Sequence, residues 1–403
     1  MKTTRNIEGV TVNKRWQTYN GFTLYTTLGC RTVNLISMKG KVVHSWKMPY
    51  APALYAELLE NEKLLYAGFK DDGPLADLEG AGGILLEADW DGKIVWQHED
   101  PYLHHGFHRL SNGNTVVMKW EAIPQELAAT IAGGVPGSEI DGRIYGDLIQ
   151  EIDSSGEAVW EWKSWEHLDP GKNALSPMVN RDEWAGANSV CITEEDKLLI
   201  SFRKINTICL VDRQSGKIEW EWGPHEISQQ NCATMTPEGT ILLFDNGMFA
   251  DGVHFPFSRI VEIDPKTEEM QWGYRDEANE NINFYSGFMS AAQRLPNGNT
   301  LVTETNNGRI FEVDADSNII WEFVNPEYSD HLDYGNSNAV PRAFRYGVEY
   351  PGLKGNAELG INRMVQSKMD ILNNQADGEE AAPAESADDK KSKVMSRLAS
   401  LGY

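Results

Sequence analysis

The sequence is short of three things: basic residues, cysteine and long apolar runs. Only 36 Lys and Arg stand against 60 Asp and Glu, a formal net charge of −24, and the cations form no stripe. A phosphate-backbone partner needs clustered Lys and Arg, so nucleic acid is excluded as a ligand. No stretch approaches the ~20 consecutive apolar residues that a membrane helix requires, so no membrane partner is expected. The opening MKTTRNIEGVTVNKRW has no apolar segment of a secretory leader, and a cytoplasmic place is the expectation. Cys30, Cys191, Cys209 and Cys232 lack CxxC spacing and read as reduced, part-buried thiols, with a disulfide between two of them left open. Phosphate loop, GxSxG elbow and HExxH helix are all missing.

What the chain has instead is tryptophan, glycine and repetition. Thirteen Trp and 36 Gly favour many short strands joined by tight turns over helices. One repeated element is a hairpin on NGN or a relative: LLENEKLLYAG, RLSNGNTVVMKW, CITEEDKLLISFR, TMTPEGTILLFDN and RLPNGNTLVTET. A second is a strand ending in an aromatic: GKVVHSW, GKIVWQH, GEAVWEW, GKIEWEW, EEMQWGY and SNIIWEF. Their matched positions, His44, Trp96, Trp160, Trp220, Trp272 and Trp321, recur at about 50 to 64 residues, near the spacing of propeller repeats. Such regular aromatics read as packing between blades rather than as a cofactor box.

Six outer elements but five inner hairpins imply a six-bladed β-propeller whose ends complete one another. The segment GFTLYTTLGCRTVNLISMKGKVVHSW lacks an inner strand, and the stretch near VPRAFRYGVEY is expected to supply it. Closing the ring in this way removes exposed sheet edges. The propeller is expected over residues 1–365, followed by an acidic, Ala- and Glu-rich disordered linker over 366–389. Residues 390–403 read as a short amphipathic helix with Val394, Leu398 and Leu401 on one face, a possible contact for a homo-oligomer. Two long insertions, EAIPQELAATIAGGVPGSEIDGRIYGD and KSWEHLDPGKNALSPMVNRDEWAG, have lengths typical of lids and caps.

Aligning the hairpins puts Leu54, His105, Gly186, Asn231 and Ser290 at one hub position, and Phe69, Trp120, Arg203, Asn246 and Thr305 at the next. Repeats need like residues where they share structure, so unlike polar residues at matched positions point to a site. His105, flanked by His104 and His108, is the candidate acid or base, because imidazole titrates near neutral pH. Arg203 is the candidate anion clamp, with an internal salt bridge as the competing role. Asn188, Asn231 and Asn246 would be orienting donors, and Trp120 a platform for an aromatic substrate. His225, six residues before Asn231, is a further imidazole that could reach the site. His105 and His108 point to opposite faces of a strand, so no metal is expected. Arg342 and Arg345, near the closure, can reach the channel, but a surface place is the expectation.

Several strings carry a family resemblance. YLHHGFHRLSNGNTVVM resembles the HHD…LPNGN segment of bacterial arylsulfotransferases, and ANSVCITEEDKLLISFRKINTICLVDRQSGKIEWEWG their HxNS…SxR…W segment. QQNCATMTPEGTILLFDNG is similar to their QHDA…NG…FDNG segment, and RLPNGNTLVTETNNGRIFEV to a later repeat. The resemblance spans roughly residues 17 to 350. It implies a PAPS-independent aryl-sulfate sulfotransferase without cofactor, in which a central His takes the sulfuryl group and passes it to a phenol. His105, Asn188, Arg203 and the segment Phe244 to Gly247 match the family's motifs; Gly186 and Asn231 stand where the family has histidines. Asn231 falls on the sulfuryl carrier, so hydrolysis or elimination on a related small aromatic or anionic substrate is an alternative. A non-catalytic ligand-binding or scaffold propeller is another.

Overall fold

The computed structural model describes residues 7–250, 256–276, 283–331, 335–353 and 359. Residues 1–353 form one compact unit and 354–403 a second, so the expected linker and C-terminal helix lie outside the described residues.

Six antiparallel sheets make the six blades of a propeller. From the innermost strand outward, blade 2 is Pro52–Leu58, Leu64–Phe69, Gly83–Ala88 and Ile94–Glu99. Blade 3 is Leu103–Arg109, Thr115–Ala122, Tyr145–Ile152 and Ala158–Lys163, and blade 4 is Ala187–Ile192, Lys197–Phe202, Thr207–Asp212 and Ile218–Trp222. Blade 5 runs Asn231–Met235, Ile241–Asp245, Arg259–Asp264 and Glu269–Tyr274; blade 6 runs Ala291–Arg294, Thr300–Glu304, Arg309–Val313 and Ile319–Val324.

Both chain ends complete the ring. Ala343–Gly347 is the innermost strand of blade 1, paired with Gly21–Thr26 from Gly21↔Gly347 to Tyr25↔Ala343; Thr32–Ser37 and Val42–Lys47 follow outward. Gly9–Asn13 adds a fifth strand to the outer edge of blade 6. Arg342 and Arg345 are therefore not surface residues of a tail. Arg345 is 2% exposed, 3.2 Å from Glu312, and donates to Thr23 and to the Tyr19 carbonyl. A guanidinium can be sealed in this way only when carboxylate and carbonyl acceptors surround it.

The repeated aromatics do structural work at the rim. Each donates its ring N–H to an oxygen on the following blade: His44 to Trp90, Trp96 to Ser154, Trp160 to Arg213, Trp220 to Glu268, Trp272 to Ala315. Trp321 of blade 6 donates 2.9 Å to the Met38 carbonyl of blade 1 and so closes the cycle. Arg109, Arg213, Arg294 and Arg345 stack on four of these indoles at 4.4 to 5.4 Å. At the hub end the hairpins turn at glycines such as Gly113 and Gly298, both at positive φ, which an L side chain adopts at a cost.

Two insertions rise from blades 3 and 4 and pack on one another. Ile123, Ile131, Ile144, Trp165, Leu175 and Trp184 belong to one buried cluster. Gly133–Val135 pairs in parallel with Leu175–Asn180. This packing delivers the segment Asp182 to Gly186 to the hub. Among the described residues no helix is long and apolar enough to cross a membrane.

Trp321 has no exposed surface, whereas Trp16 is 55% exposed. Trp321→Ala is expected to cost about 3–5 kcal/mol in urea unfolding, and Trp16→Ala to stay within about 0.5 kcal/mol. A cost below about 1 kcal/mol at Trp321 would contradict the clasp.

Candidate functional site

The inner strand of blade 3 is irregular where the chemistry sits. Its pairing passes from Phe107↔Val117 to His104↔Met118, so His105 and Gly106 form a bulge. His105 has φ 52°, and such a bulge re-aims a side chain out of the pleat. A Cβ on Gly106 would meet the Tyr55 hydroxyl at 2.7 Å, so glycine is required beside it. The His105 N–H donates to the Gly80 carbonyl at 2.7 Å, and the imidazole packs under Gly80. His104 turns the other way and stacks on Trp120, with centroids 4.4 Å apart and planes 12° from parallel. The two histidines meet Nδ1 to Nδ1 at 3.0 Å.

A buried charge network holds this pair. Trp120 donates its indole N–H to Glu183 Oε2 at 2.8 Å, and Glu183 Oε1 lies 3.2 Å from Lys204 Nζ. Lys204 also pairs with Asp182. Asp147 accepts the backbone N–H groups of Ala185, Gly186 and Ala187 at 2.9 to 3.1 Å, and its Oδ1 stands 3.9 Å from His104 Nε2. Burial pushes the His104 imidazole down to about 3, and the neighbouring His105 adds to the effect. Burial, Arg203 and Lys204 also lower His105, against the opposing pull of Glu183 and Glu79. Burial penalises the Glu183 carboxylate, but the Lys204 ammonium outweighs it and holds the group below the usual carboxylate range. In both rings burial thus disfavours the protonated form.

The register relocates one expected hub residue. Each inner hairpin ends on a closing pair: Leu58↔Leu64, Arg109↔Thr115, Ile192↔Leu198, Met235↔Ile241 and Arg294↔Thr300. Counting four residues back gives Leu54, His105, Asn188, Asn231 and Ser290, so Asn188 rather than Gly186 matches His105. Gly186 has φ 80°, and a Cβ there would meet Lys204 Cγ at 2.9 Å. The lysine stem fills the space a larger residue would need.

The remaining candidates divide into two groups. Arg203 opens a short 3-10 turn and joins the histidine side of the hub, but Glu79 already holds it at 2.8 Å. The clamp is therefore an inter-blade ion pair in this state. Asn188, Asn231 and Asn246 form a separate ladder: Asn188 donates to Asn231 at 2.8 Å, Asn231 to Asn246 at 3.1 Å, and Asn246 to the Ser286 carbonyl at 2.7 Å. Asn188 Oδ1 is buried without a partner, one acceptor left over on the ladder. Trp120 is no open platform, since it is 2% exposed with His104 on its face and Glu183 on its N–H. His225 is exposed on the loop after Trp222. All four cysteines are free thiols.

Sequence reasoning missed Glu79, Asp147, Glu183 and Lys204. Lys204 follows Arg203 directly, and an Arg-Lys pair ending a hub strand was the available clue; Glu79 and Glu183 come from loops whose path has no periodicity to read, and Asp147 from the strand Tyr145–Ile152 of blade 3.

The family model for "Arylsulfotransferase (ASST)" matches residues 56–326, from the inner strand of blade 2 through the outer strand of blade 6. This chain belongs to the arylsulfotransferase family. The matched span contains both histidines, Arg203 and the asparagine ladder. No curated protein matches this family member's sequence. A protein of unknown function from Bacteroides caccae shares the fold, with TM-score 0.52 and 10% identity over 81% of this chain and 98% of that one. A streptogramin B lyase has TM-score 0.46 and 12% identity over 84% and 93%. Apo AztD from Citrobacter koseri has TM-score 0.44 and 11% identity over 82% and 99%.

The depressed His104 sets a pH dependence with a definite sign. The unfolded ring titrates near 6.5 and the folded one near about 3, so the unfolded state takes up the proton first. Stability present above pH 6.5 is lost as the pH falls toward 3. Between pH 7 and 5, urea unfolding is expected to show wild type losing about 2 kcal/mol more than His104→Gln. Equal losses would contradict the assignment.

Proposed function

We propose that this arylsulfotransferase-family chain moves a sulfuryl group from a small aryl sulfate to a phenol, with His105 as the nitrogen that receives it. The observation that carries the reading is the His104–His105 contact at 3.0 Å beside Arg203. In this reading His104 carries its proton on Nε2, which faces Asp147 Oδ1 at 3.9 Å, a carboxyl that burial and Glu183 push up to about 7. His104 Nδ1 then accepts from His105 Nδ1–H, which leaves a lone pair on His105 Nε2.

In the first step that lone pair attacks sulfur; the N–S bond forms, the S–O bond to the ring breaks, and phenolate leaves. The acceptor phenol, losing its proton to solvent, then attacks the same sulfur, and the N–S bond returns its electrons to the imidazole. Arg203 is placed to neutralise the sulfuryl oxygens once substrate displaces Glu79, exchanging one anion for another. Asn231, at the position of the family's sulfuryl-carrying His, is hydrogen-bonded on both sides and serves as part of the ladder rather than as a nucleophile. Water in place of the phenol would give hydrolysis through the same first step.

The test is p-nitrophenol release from p-nitrophenyl sulfate with and without an added phenol. Wild type is expected to release product faster with the acceptor. His105→Ala is expected to lower kcat/KM by about 10²–10⁴-fold, and Arg203→Ala by about 10²–10³-fold. Asn231→His on the His105→Ala background reports whether the family's own position can take over. Release without acceptor dependence would identify a hydrolase, and no release from wild type would overturn sulfuryl chemistry.

A further inference from the structure

Arg342 sits just before the closing strand Ala343–Gly347, and its guanidinium carbon lies 4.2 Å over the Tyr55 ring of blade 2. Its charge also acts on Cys232 of blade 5, Glu57 of blade 2 and Cys191 of blade 4. Groups from blades 2, 4 and 5 can converge on one residue of blade 1 only along the ring axis. There a cavity of about 160 Å³ is lined by Arg342 and Phe344, by Cys232 and Thr234, and by Ala292 and Gln293.

The two arginines lining this cavity differ in one respect. Arg294 pairs with Glu262. Among the described residues no carboxylate lies within 4.0 Å of Arg342. Glu57 is the carboxyl that feels it, and burial pushes that group up to about 7, which weakens it as a counter-ion at neutral pH. Gln293 cannot serve either, because its amide is engaged with the Arg345 backbone at 2.8 and 3.2 Å. The remaining walls are methyl, aromatic and thioether surface, with the Thr234 hydroxyl and the Cys232 thiol as minor polar groups. A cation stacked on an aromatic ring in a mostly apolar cavity suits an anion carried on an apolar body.

We propose that Arg342 makes this channel cavity a binding site for a small aromatic or short-chain organic anion, carboxylate or sulfonate, separate from the His105–Arg203 site. The head group would take the guanidinium fork, and the body would lie against Phe344 and Ala292. The size agrees: an engineered apolar cavity of ~150 Å³ holds benzene.

Isothermal titration of the full-length protein with benzoate and with its neutral isostere benzamide tests the site. Benzoate is expected to bind, and benzamide to bind about tenfold more weakly or worse. Arg342→Gln is expected to weaken benzoate by a similar factor, Arg342→Lys by less, and Arg203→Ala by under about twofold. Equal affinity for benzoate and benzamide would overturn the proposal, as would no binding at millimolar benzoate. Loss of benzoate binding with Arg203→Ala but not with Arg342→Gln would overturn it too. The benzamide arm uses wild type, so the test stands even if an Arg342 variant fails to fold. Sulfuryl transfer can fail in the enzyme assay while benzoate still binds at Arg342, so the two readings stand or fall separately.

Discussion

The hydrogen bond from each blade's outer aromatic to the next blade's turn is the interaction on which the rest of the molecule depends. Six short sheets have no reason to share an axis unless their rims are held at fixed angles. Trp321 to Met38 makes the sixth clasp and the pairing of Ala343–Gly347 with Gly21–Thr26 makes the matching closure at the hub. With rim and hub both fixed, the first residues of the inner strands face one another across the channel. Side chains far apart in sequence, such as Glu79 and Arg203 or Tyr55 and Arg342, then meet as neighbours.

Inside that frame the hub solves a burial problem. Lys204 lies out of water, and an ammonium there is tolerable only beside carboxylates. Asp182 and Glu183 supply them; Glu183 in turn fixes the Trp120 indole, Trp120 the His104 ring, and His104 the His105 Nδ1. The links are ion pair, hydrogen bond and ring stacking in turn. The outcome is an imidazole whose cationic form burial disfavours, re-aimed by a bulge, and beside a guanidinium.

The fold was legible because a propeller writes its architecture as a period. Trp96, Trp160, Trp220, Trp272 and Trp321 mark the outer strands at regular spacing, and the NGN-type turns mark the inner hairpins. Even the closing strand could be inferred by counting, since six outer elements require six inner ones. The hub was legible only in part. His105, Arg203 and the asparagines stand out as unlike residues at like positions; the structure joins Asn188, Asn231 and Asn246 in one ladder and pairs Arg203 with Glu79. Gly186 stands two residues too early: counted from the closing pair Ile192↔Leu198, as His105 is from Arg109↔Thr115, the matched residue is Asn188. Trp120 reads as a platform in one dimension, whereas His104 covers its face and Glu183, from an insertion without period, takes its N–H. Glu79 was invisible for the same reason: its ion pair with Arg203 across blades depends on loop paths, not on spacing.

The central claim is that this hub presents His105 as a neutral imidazole with its Nε2 lone pair free. Nitrogen-15 chemical shifts of the histidine rings at pH 7, assigned with a His105→Gln variant, report charge and tautomer directly. The account requires a neutral His105 carrying its proton on Nδ1, with an unprotonated Nε2. An imidazolium at pH 7, or a neutral ring with the proton on Nε2, would contradict it.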